Sequence, residues 1–491
     1  MDATLAGRLA EYRVMRRDLE ASVLPLATSV DGLRFGFQAP LEPLALRVGG
    51  YVVLESTGAP RLGQVLSLAV EHADAGEVGL HGASTHMLIR LARGEGVVLD
   101  GPLEPFHDAI VRPAAPEEVR TWLHATAPRR AVLPAGQLTR ADGLVHALDA
   151  GGFDRHTFLC GQSGSGKTYA LGVLLERLLL ATSLRIVVLD PNSDYVRLTE
   201  VRDDVAPELA ARYREAAAGV VVHRAAASGT GRLRFRLGEL DEQAQAAALR
   251  LDPIRDRDEY AELTALLADL RPETLAALHT ADRPAAAALA RRASNLGVDA
   301  WSVWARTDPG STLDALEDPA VRCLVVDLGS LATREEQALT AGAVLERLWR
   351  LRARREPTLI VIDEAHNVCP AVPADPLTAL ATEHAIRIAA EGRKFGLYLL
   401  TATQRPQKVH PNVVSQCDNL VLMRMNSSAD LAYARDVFSF IPAGLLDLAA
   451  GFTLGQALVG GKLSSHPALV KMGPRIAQEG GADVPSTWAG T

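Results

Sequence analysis

Aromatic residues make up only 5% of this 491-residue chain, and cysteine occurs four times. With so few rings, any large core must rest on Ala, Leu and Val. Hydrophobic residues still amount to 48%, enough for a sizeable core and too many for intrinsic disorder. Cys160, Cys323, Cys369 and Cys417 show neither metal-ligand spacing nor a disulfide framework. Three of them fall in or beside apolar stretches and read as buried thiols. No apolar run reaches the length of a membrane helix, and the N-terminus lacks a signal-peptide pattern. The expectation is a soluble, cytoplasmic protein with no membrane partner. Basic excess is missing too. A net charge of −8 excludes a protein that coats nucleic acid by bulk charge, but not a local basic channel.

What is present begins with Gly161-Gln162-Ser163-Gly164-Ser165-Gly166-Lys167-Thr168, a complete G-x-x-x-x-G-K-[ST] phosphate loop. A short apolar strand pattern precedes it (residues 157–160) and an aliphatic helix pattern follows (169–180). Strand, glycine loop and helix in that order argue against a chance glycine-rich turn. Gly161, Gly164 and Gly166 let the backbone curl so that several N–H groups face one anion, and the helix start adds its positive dipole end. Residues 161–168 together with Tyr169 are therefore predicted to bind ATP. Lys167 would reach the β- and γ-phosphates, and the Thr168 hydroxyl would ligate Mg²⁺.

Residues 358–364 read Thr-Leu-Ile-Val-Ile-Asp-Glu, a strand buried on both faces that ends in two acids. Asp363 is predicted to hold the Mg²⁺ shell through water, and Glu364 to orient and deprotonate the attacking water. The plain alternative is an acidic cap of the next helix. Residues 185–190, 323–328 and 397–403 read as further strands, the second followed by a helix to about residue 354. This alternation predicts an α/β fold with a parallel sheet. Gln404, at a strand end, is placed to sense the γ-phosphate or the water.

The length predicts about three domains. Residues 1–24 show helical spacing of Leu5, Leu9, Tyr12, Met15 and Leu19. Residues 25–115 carry short strands, among them 62–66, 88–91 and 96–99, and predict a small β-barrel without acid–base chemistry, an assembly or partner-binding module. Residues 116–150 read as a linker with one helix and a short β segment around residues 144–148, 151–472 as the ATPase core, 240–315 as a helical insertion within it, and 473–491 as a flexible tail. The alternation Arg232-Leu233-Arg234-Phe235-Arg236 reads as a strand with a solvated basic face, or one that touches phosphates. Lys408 and His410 are weak candidates for gripping DNA.

Together these residues resemble the HerA family of hexameric DNA translocases and helicases, in the FtsK–HerA branch of P-loop ATPases. The resemblance covers about residues 25–470. It is carried by Asp154-Arg155-His156, the phosphate loop, Asp190-Pro191, Asp363-Glu364-Ala365-His366-Asn367, Glu391-Gly392-Arg393-Lys394-Phe395-Gly396, Thr403-Gln404-Arg405-Pro406 and Val414-Ser415-Gln416-Cys417. It implies a RecA-like core, an N-terminal barrel, and a homohexamer with ATP at subunit interfaces and double-stranded DNA in the pore. It implies an arginine finger at Arg393, acting on the neighbour's site, and a second interface arginine at Arg155. Pro191-Asn192-Ser193-Asp194-Tyr195 departs from the family, where a His-Gly-Glu type of turn is usual, which leaves the role of Asp194 open. Two functions stay open. One is an ATP-driven motor feeding duplex to a partner such as a NurA-like nuclease, in end processing or anti-phage defence. The other is a ring scaffold that assembles and regulates a defence effector, for example a Sir2-like NADase or a nuclease. A two-lobed monomeric helicase and a transporter-type ATPase are disfavoured, because a second arginine-rich core and a Leu-Ser-Gly-Gly-Gln signature are both missing.

Overall fold

Alternation of apolar and polar residues in the N-terminal quarter produces six strands. They are β1 (Leu26–Ser29), β2 (Arg34–Pro40), β3 (Tyr51–Glu55), β4 (Arg61–Leu80), β5 (Ala83–Asp100) and β6 (Phe106–Pro113). In the computed structural model, which describes residues 3–41, 44–80, 83–128, 131–227, 231–270, 284–305 and 310–481, they close a barrel in the order β1-β2-β5-β4-β3-β6. Every neighbour is antiparallel, and β6 returns to β1. Phe35, Phe37, Val52, Leu54, Val65 and Val111 fill its interior. The segments 88–91 and 96–99, read above as two strands, are one strand, β5. Gly94 and Gly96, where the two were divided, make no turn. A side chain at Gly96 would lie 2.1 Å from the Phe35 ring, and one at Gly94 2.5 Å from that of Phe37. The glycines make room for the rings.

The β4–β5 hairpin outgrows the barrel. Pairing of β5 with β2 stops at Leu91, while β4 and β5 stay paired out to Leu80 and Ala83. Helix α1 (Ala3–Ser22) lies along this arm, and the Arg90 N–H donates to Glu20 Oε1 at 2.8 Å.

A second sheet holds eleven strands. It comprises β7 (Val132–Leu138), β8 (Val145–Asp149), β9 (His156–Cys160), β10 (Arg185–Asp190), β11 (Val220–His223), β12 (Cys323–Asp327), β13 (Thr358–Ile362), β14 (Leu397–Thr403), β15 (Cys417–Met423), β16 (Gln456–Gly460) and β17 (Ala468–Met472). Their order is β11-β12-β10-β13-β14-β9-β15-β16-β17-β7-β8. The first seven are parallel and the last four extend them antiparallel. Phe158, Val187 and Ile360 feed one apolar cluster, while the following residues Leu159, Val188 and Val361 feed the other. The sheet is thus covered on both faces, as a parallel sheet must be. This is a RecA-like α/β core.

Three segments depart from the sequence reading. The stretch 116–150 is more than a connection. The expected helix is α2 (Pro116–Ala125) and the expected β segment is β8, but with the unforeseen β7 it completes the edge of the large sheet. A register shift between Pro134 and Gly136 interrupts the alternation that would have revealed β7. Residues 232–236 form isolated bridges rather than a strand, and Leu233 and Phe235 are buried. Arg234 is buried as well, donating to the Gly310 carbonyl at 2.7 Å, so the basic face is not a solvated one. The tail is held down as far as residue 481; residues 482–491 lie outside the described residues. Arg475 and Glu176 are fully buried partners at 2.5 Å, and the same carboxylate accepts the N–H groups of Ile476 and Ala477. The region 240–315 contributes the helices Glu242–Ala248, Arg257–Leu270, Pro284–Leu296 and Thr312–Ala315, with residues 271–283 and 306–309 outside the described residues. Among the described residues, no helix is long and apolar enough to cross a membrane.

Candidate nucleotide site

The phosphate loop connects the buried strand β9 to helix α3 (Lys167–Ala181). Gly164 and Gly166 have φ of +69° and +92°, a backbone that favours glycine and turns successive amides inward. Ser163 and Gly164 are exposed at the apex. Ser165 is buried, and its Oγ has no hydrogen-bond partner. Gln162 braces the loop by accepting the Asn426 N–H through Oε1 at 3.0 Å.

Lys167 lies across the sheet from the acid pair. Its Nζ is 2.5 Å from Asp363 Oδ1 and 3.0 Å from Glu364 Oε1, all three side chains being buried. Burial alone would lower the Lys167 ammonium, but the two carboxylates override it and hold it above its ordinary range. Burial likewise pushes Glu364 upward, and Lys167 with the Gln404 amide pulls it below the usual carboxylate range. Gln404 donates to Glu364 Oε1 at 2.8 Å, while Glu364 Oε2 accepts no hydrogen bond. Glu364 has φ of +43°. A non-glycine residue in that region costs about 1–2 kcal/mol, offset here by the contacts that fix its carboxylate.

Asp190 shapes the turn facing the loop. Its buried carboxylate accepts the N–H groups of Asn192, Asp194 and Tyr195. Desolvation raises Asp190 to about 7 and Asp194 to about 6. The Thr168 hydroxyl is 3.4 Å from Asp194 Oδ2, and the Tyr195 hydroxyl donates to Asp363 Oδ2 at 3.2 Å. Five of the residues singled out in the sequence therefore converge: Lys167, Thr168, Asp363, Glu364 and Gln404. Tyr169 stands beside them, its hydroxyl accepting the Arg475 N–H at 2.9 Å.

The donor set fits ATP and Mg²⁺. The loop offers an unpartnered buried hydroxyl and inward amides, and the lysine is already paired with anions. Among the described residues, no three His, Cys, Asp or Glu side chains are arranged to hold a metal. A Mg²⁺ beside Thr168 and Asp363 would thus need nucleotide oxygens and water to complete its shell, as this ion prefers.

Arg393 and Arg155 lie elsewhere. Gln404 follows the carboxyl end of β14, whereas Arg393 sits in the turn Gly392–Phe395 before its amino end. The seven residues of β14 separate them by about 23 Å at 3.3 Å per residue. Arg155 likewise precedes β9, whose far end leads into the phosphate loop. Both arginines ion-pair with Asp418, at 3.1 Å from Arg393 and 3.5 Å from Arg155. Lys408 is exposed in the turn Pro406–Lys408, and His410 caps the short helix Pro411–Val414. Sequence reasoning missed Arg424, whose Nη2 donates to the Gly164 carbonyl at 2.9 Å. Its signal was a charged residue at the end of an apolar strand, β15. It also missed Tyr195 and Asp418, whose partners are remote in sequence.

Residues 133–356 match the family described as "Helicase HerA, central domain". The chain is 30% identical over 127 residues to the DNA double-strand break repair helicase HerA of Sulfurisphaera tokodaii, covering 26% of this chain and 25% of that one. It is 31% identical over 116 residues to that of Pyrococcus furiosus, covering 24% and 20%. These matches span about a quarter or less of the relatives' length. Among solved structures it is similar to VirB4 of Thermoanaerobacter pseudethanolicus, at 17% identity and a TM-score of 0.48, over 71% of this chain and 97% of that one. Over residues 133–356, which hold the phosphate loop, this chain is similar to the central domain of the HerA helicases.

Proposed function

We propose that this protein hydrolyses ATP at the interfaces of a homohexameric ring and uses the cycle to move double-stranded DNA. A nuclease or effector partner would dock on the barrel. One observation carries the reading. The phosphate-side machinery lies at the carboxyl edge of the sheet, while Arg155 and Arg393 lie at the amino edge, too far to reach it. A second copy that brings its amino edge to the first copy's phosphates completes the site. Lys167 would then exchange Asp363 and Glu364 for the phosphates. Glu364, steadied by Gln404 on Oε1, would take the water's proton on Oε2. Arg393 of the neighbour would meet the charge that develops on the transferred phosphoryl group. Mg²⁺, when bound, would supply charge neutralisation at the phosphate oxygens, with Thr168 and Asp363 holding its shell. The alternative, a ring that chiefly assembles and regulates an effector, gains support from the barrel, which carries a long arm. Hydrolysis that rises with duplex DNA, and less so at high salt, separates the two.

The test joins Lys167→Ala and Arg393→Ala in one tandem dimer. Each parent ring should be inactive. The tandem ring should regain activity, because alternate interfaces pair an intact loop with an intact arginine. Native mass should equal six chains. A monomer in the presence of nucleotide would sink the proposal.

A further inference from the structure

Three adjacent strands bring three charged side chains to one spot on the amino edge. β9 lies between β14 and β15. Arg393 stands before β14, Arg155 before β9, and Asp418 is the second residue of β15. A single oxygen, Asp418 Oδ2, faces Arg393 Nη1 at 3.1 Å and Arg155 Nε at 3.5 Å. Arg155 Nη1 also lies 3.1 Å from Asp154 Oδ1. Without Asp418 the two guanidinium groups would repel one another, and both long side chains would sample many rotamers.

The backbone beneath this cluster is fixed. His156, which follows Arg155, is fully buried. Its Nδ1 accepts the Leu399 N–H at 2.9 Å, so Nε2 carries the proton and donates to the Ala389 carbonyl at 3.0 Å. Asn419, which follows Asp418, is equally buried. Its amide donates to the Gly152 carbonyl and Thr157 Oγ1, and its carbonyl accepts the N–H groups of Lys462 and Leu463. The charged side chains themselves stay open: Arg393 is 42% and Asp418 46% exposed. Exposed pairs of this kind add little to stability, so stability does not account for the arrangement.

The geometry points to Asp418 as a positioning residue that gathers Arg155 and Arg393 into one two-cation unit for the polyphosphate bound by a second copy of this chain. This rests on the proposed action of Arg393 across the interface. Two cations at fixed spacing suit an anion with several charged oxygens, and Asp418 sets that spacing before the nucleotide arrives.

Asp418→Ala in the full chain tests this. Affinity for ADP alone should be unchanged, because the residue lies far from its own loop. Trapping of ADP with aluminium fluoride, which mimics the phosphoryl group in flight, should weaken about tenfold, and kcat should fall by a similar factor with KM within twofold. Asp418→Glu should restore part of both. Trapping equal to the wild type, in a ring where Arg393→Ala traps poorly, overturns the role of Asp418. Normal trapping by Arg393→Ala itself overturns the reading of the arginine instead. The tandem dimer excludes a merely structural effect. Asp418→Ala in the Lys167→Ala half, which supplies the arginines, should reduce trapping. The same change in the Arg393→Ala half, which supplies the loop, should leave it intact. An equal loss in both placements overturns the proposal.

Discussion

The two edges of the core sheet use the same kind of contact in opposite settings. At the carboxyl edge, Lys167 is buried against Asp363 and Glu364. At the amino edge, Arg155 and Arg393 share the exposed Asp418. Buried charges are costly to leave unpaired, so the first cluster is locked until another anion replaces the carboxylates. Exposed charges keep their water and cost little to bring to a surface, so the second cluster, already gathered by Asp418, is open to a new partner. The enclosed edge suits a site that must exclude water. The open one suits a surface that meets another subunit.

The sharpest way to break this contrast is Lys167→Ala, which strands two buried carboxylates. It should destabilise the protein by about 3–5 kcal/mol and abolish nucleotide binding, read by thermal melting and a fluorescent nucleotide. Glu364→Gln removes only the proton acceptor. It should keep nucleotide affinity and lose about 100-fold or more in turnover; turnover near the wild type would remove Glu364 from the chemistry.

Acid offers the next test. Burial holds His466 down to about 3 and His146 to about 4, against an ordinary value of 6.5. The His466 ring joins the core to the barrel, its Nε2 meeting the Tyr51 hydroxyl at 2.6 Å, while His146 Nε2 meets Ser464 Oγ at 3.0 Å within the core. Unfolded histidine takes up a proton below about 6.5 while the folded rings do not. Their contribution is therefore whole above pH 6.5 and is lost as the pH falls toward 4. Melting temperature should drop across that window, and His466→Gln should flatten the drop; an unchanged pH slope would show that other groups set it.

The smallest effect is expected at the open edge. Arg155→Ala should change stability by less than about 0.5 kcal/mol, and the difference should fade in high salt. A larger loss would mean that Arg155 is a structural residue, and the comparison between the edges would narrow.

Local chemistry made the carboxyl edge legible in the sequence. The phosphate loop and Asp363-Glu364 announce themselves because glycines, lysine and acids stand where apolar strands stop. Gln404 followed from the same rule. Contacts between distant segments were not legible. Asp418 meets Arg155 from 263 residues away (418 − 155), and no local pattern reports such a pairing. β7 was hidden by the irregularity at Pro134 and Gly136, and β5 was divided in the reading because glycine usually marks a turn. The run 232–236 alternated as a strand would, yet tertiary contacts drew Arg234 inward. The Gly/Pro composition after residue 473 suggested mobility, but the Glu176 carboxylate holds residues 475–477 in place.

That last contact bears on how the chain is made. Helix α3 forms its phosphate-binding end within residues 161–181, but Glu176 on its buried side waits for Arg475, 299 positions later. Gly172 keeps the space open, since a side chain there would stand 2.0 Å from Arg475 Nη1. At synthesis rates of about 5–20 residues per second, the ribosome spends roughly 15–60 s between the two. During that interval a carboxylate destined for the interior lacks Arg475, with which it makes its closest contact, and the adjacent Arg177 lies farther off, at 3.7 Å. The phosphate loop and its helix are complete in sequence long before they are complete in structure, and the nascent chain should bind ATP only after residue 475 has left the exit tunnel.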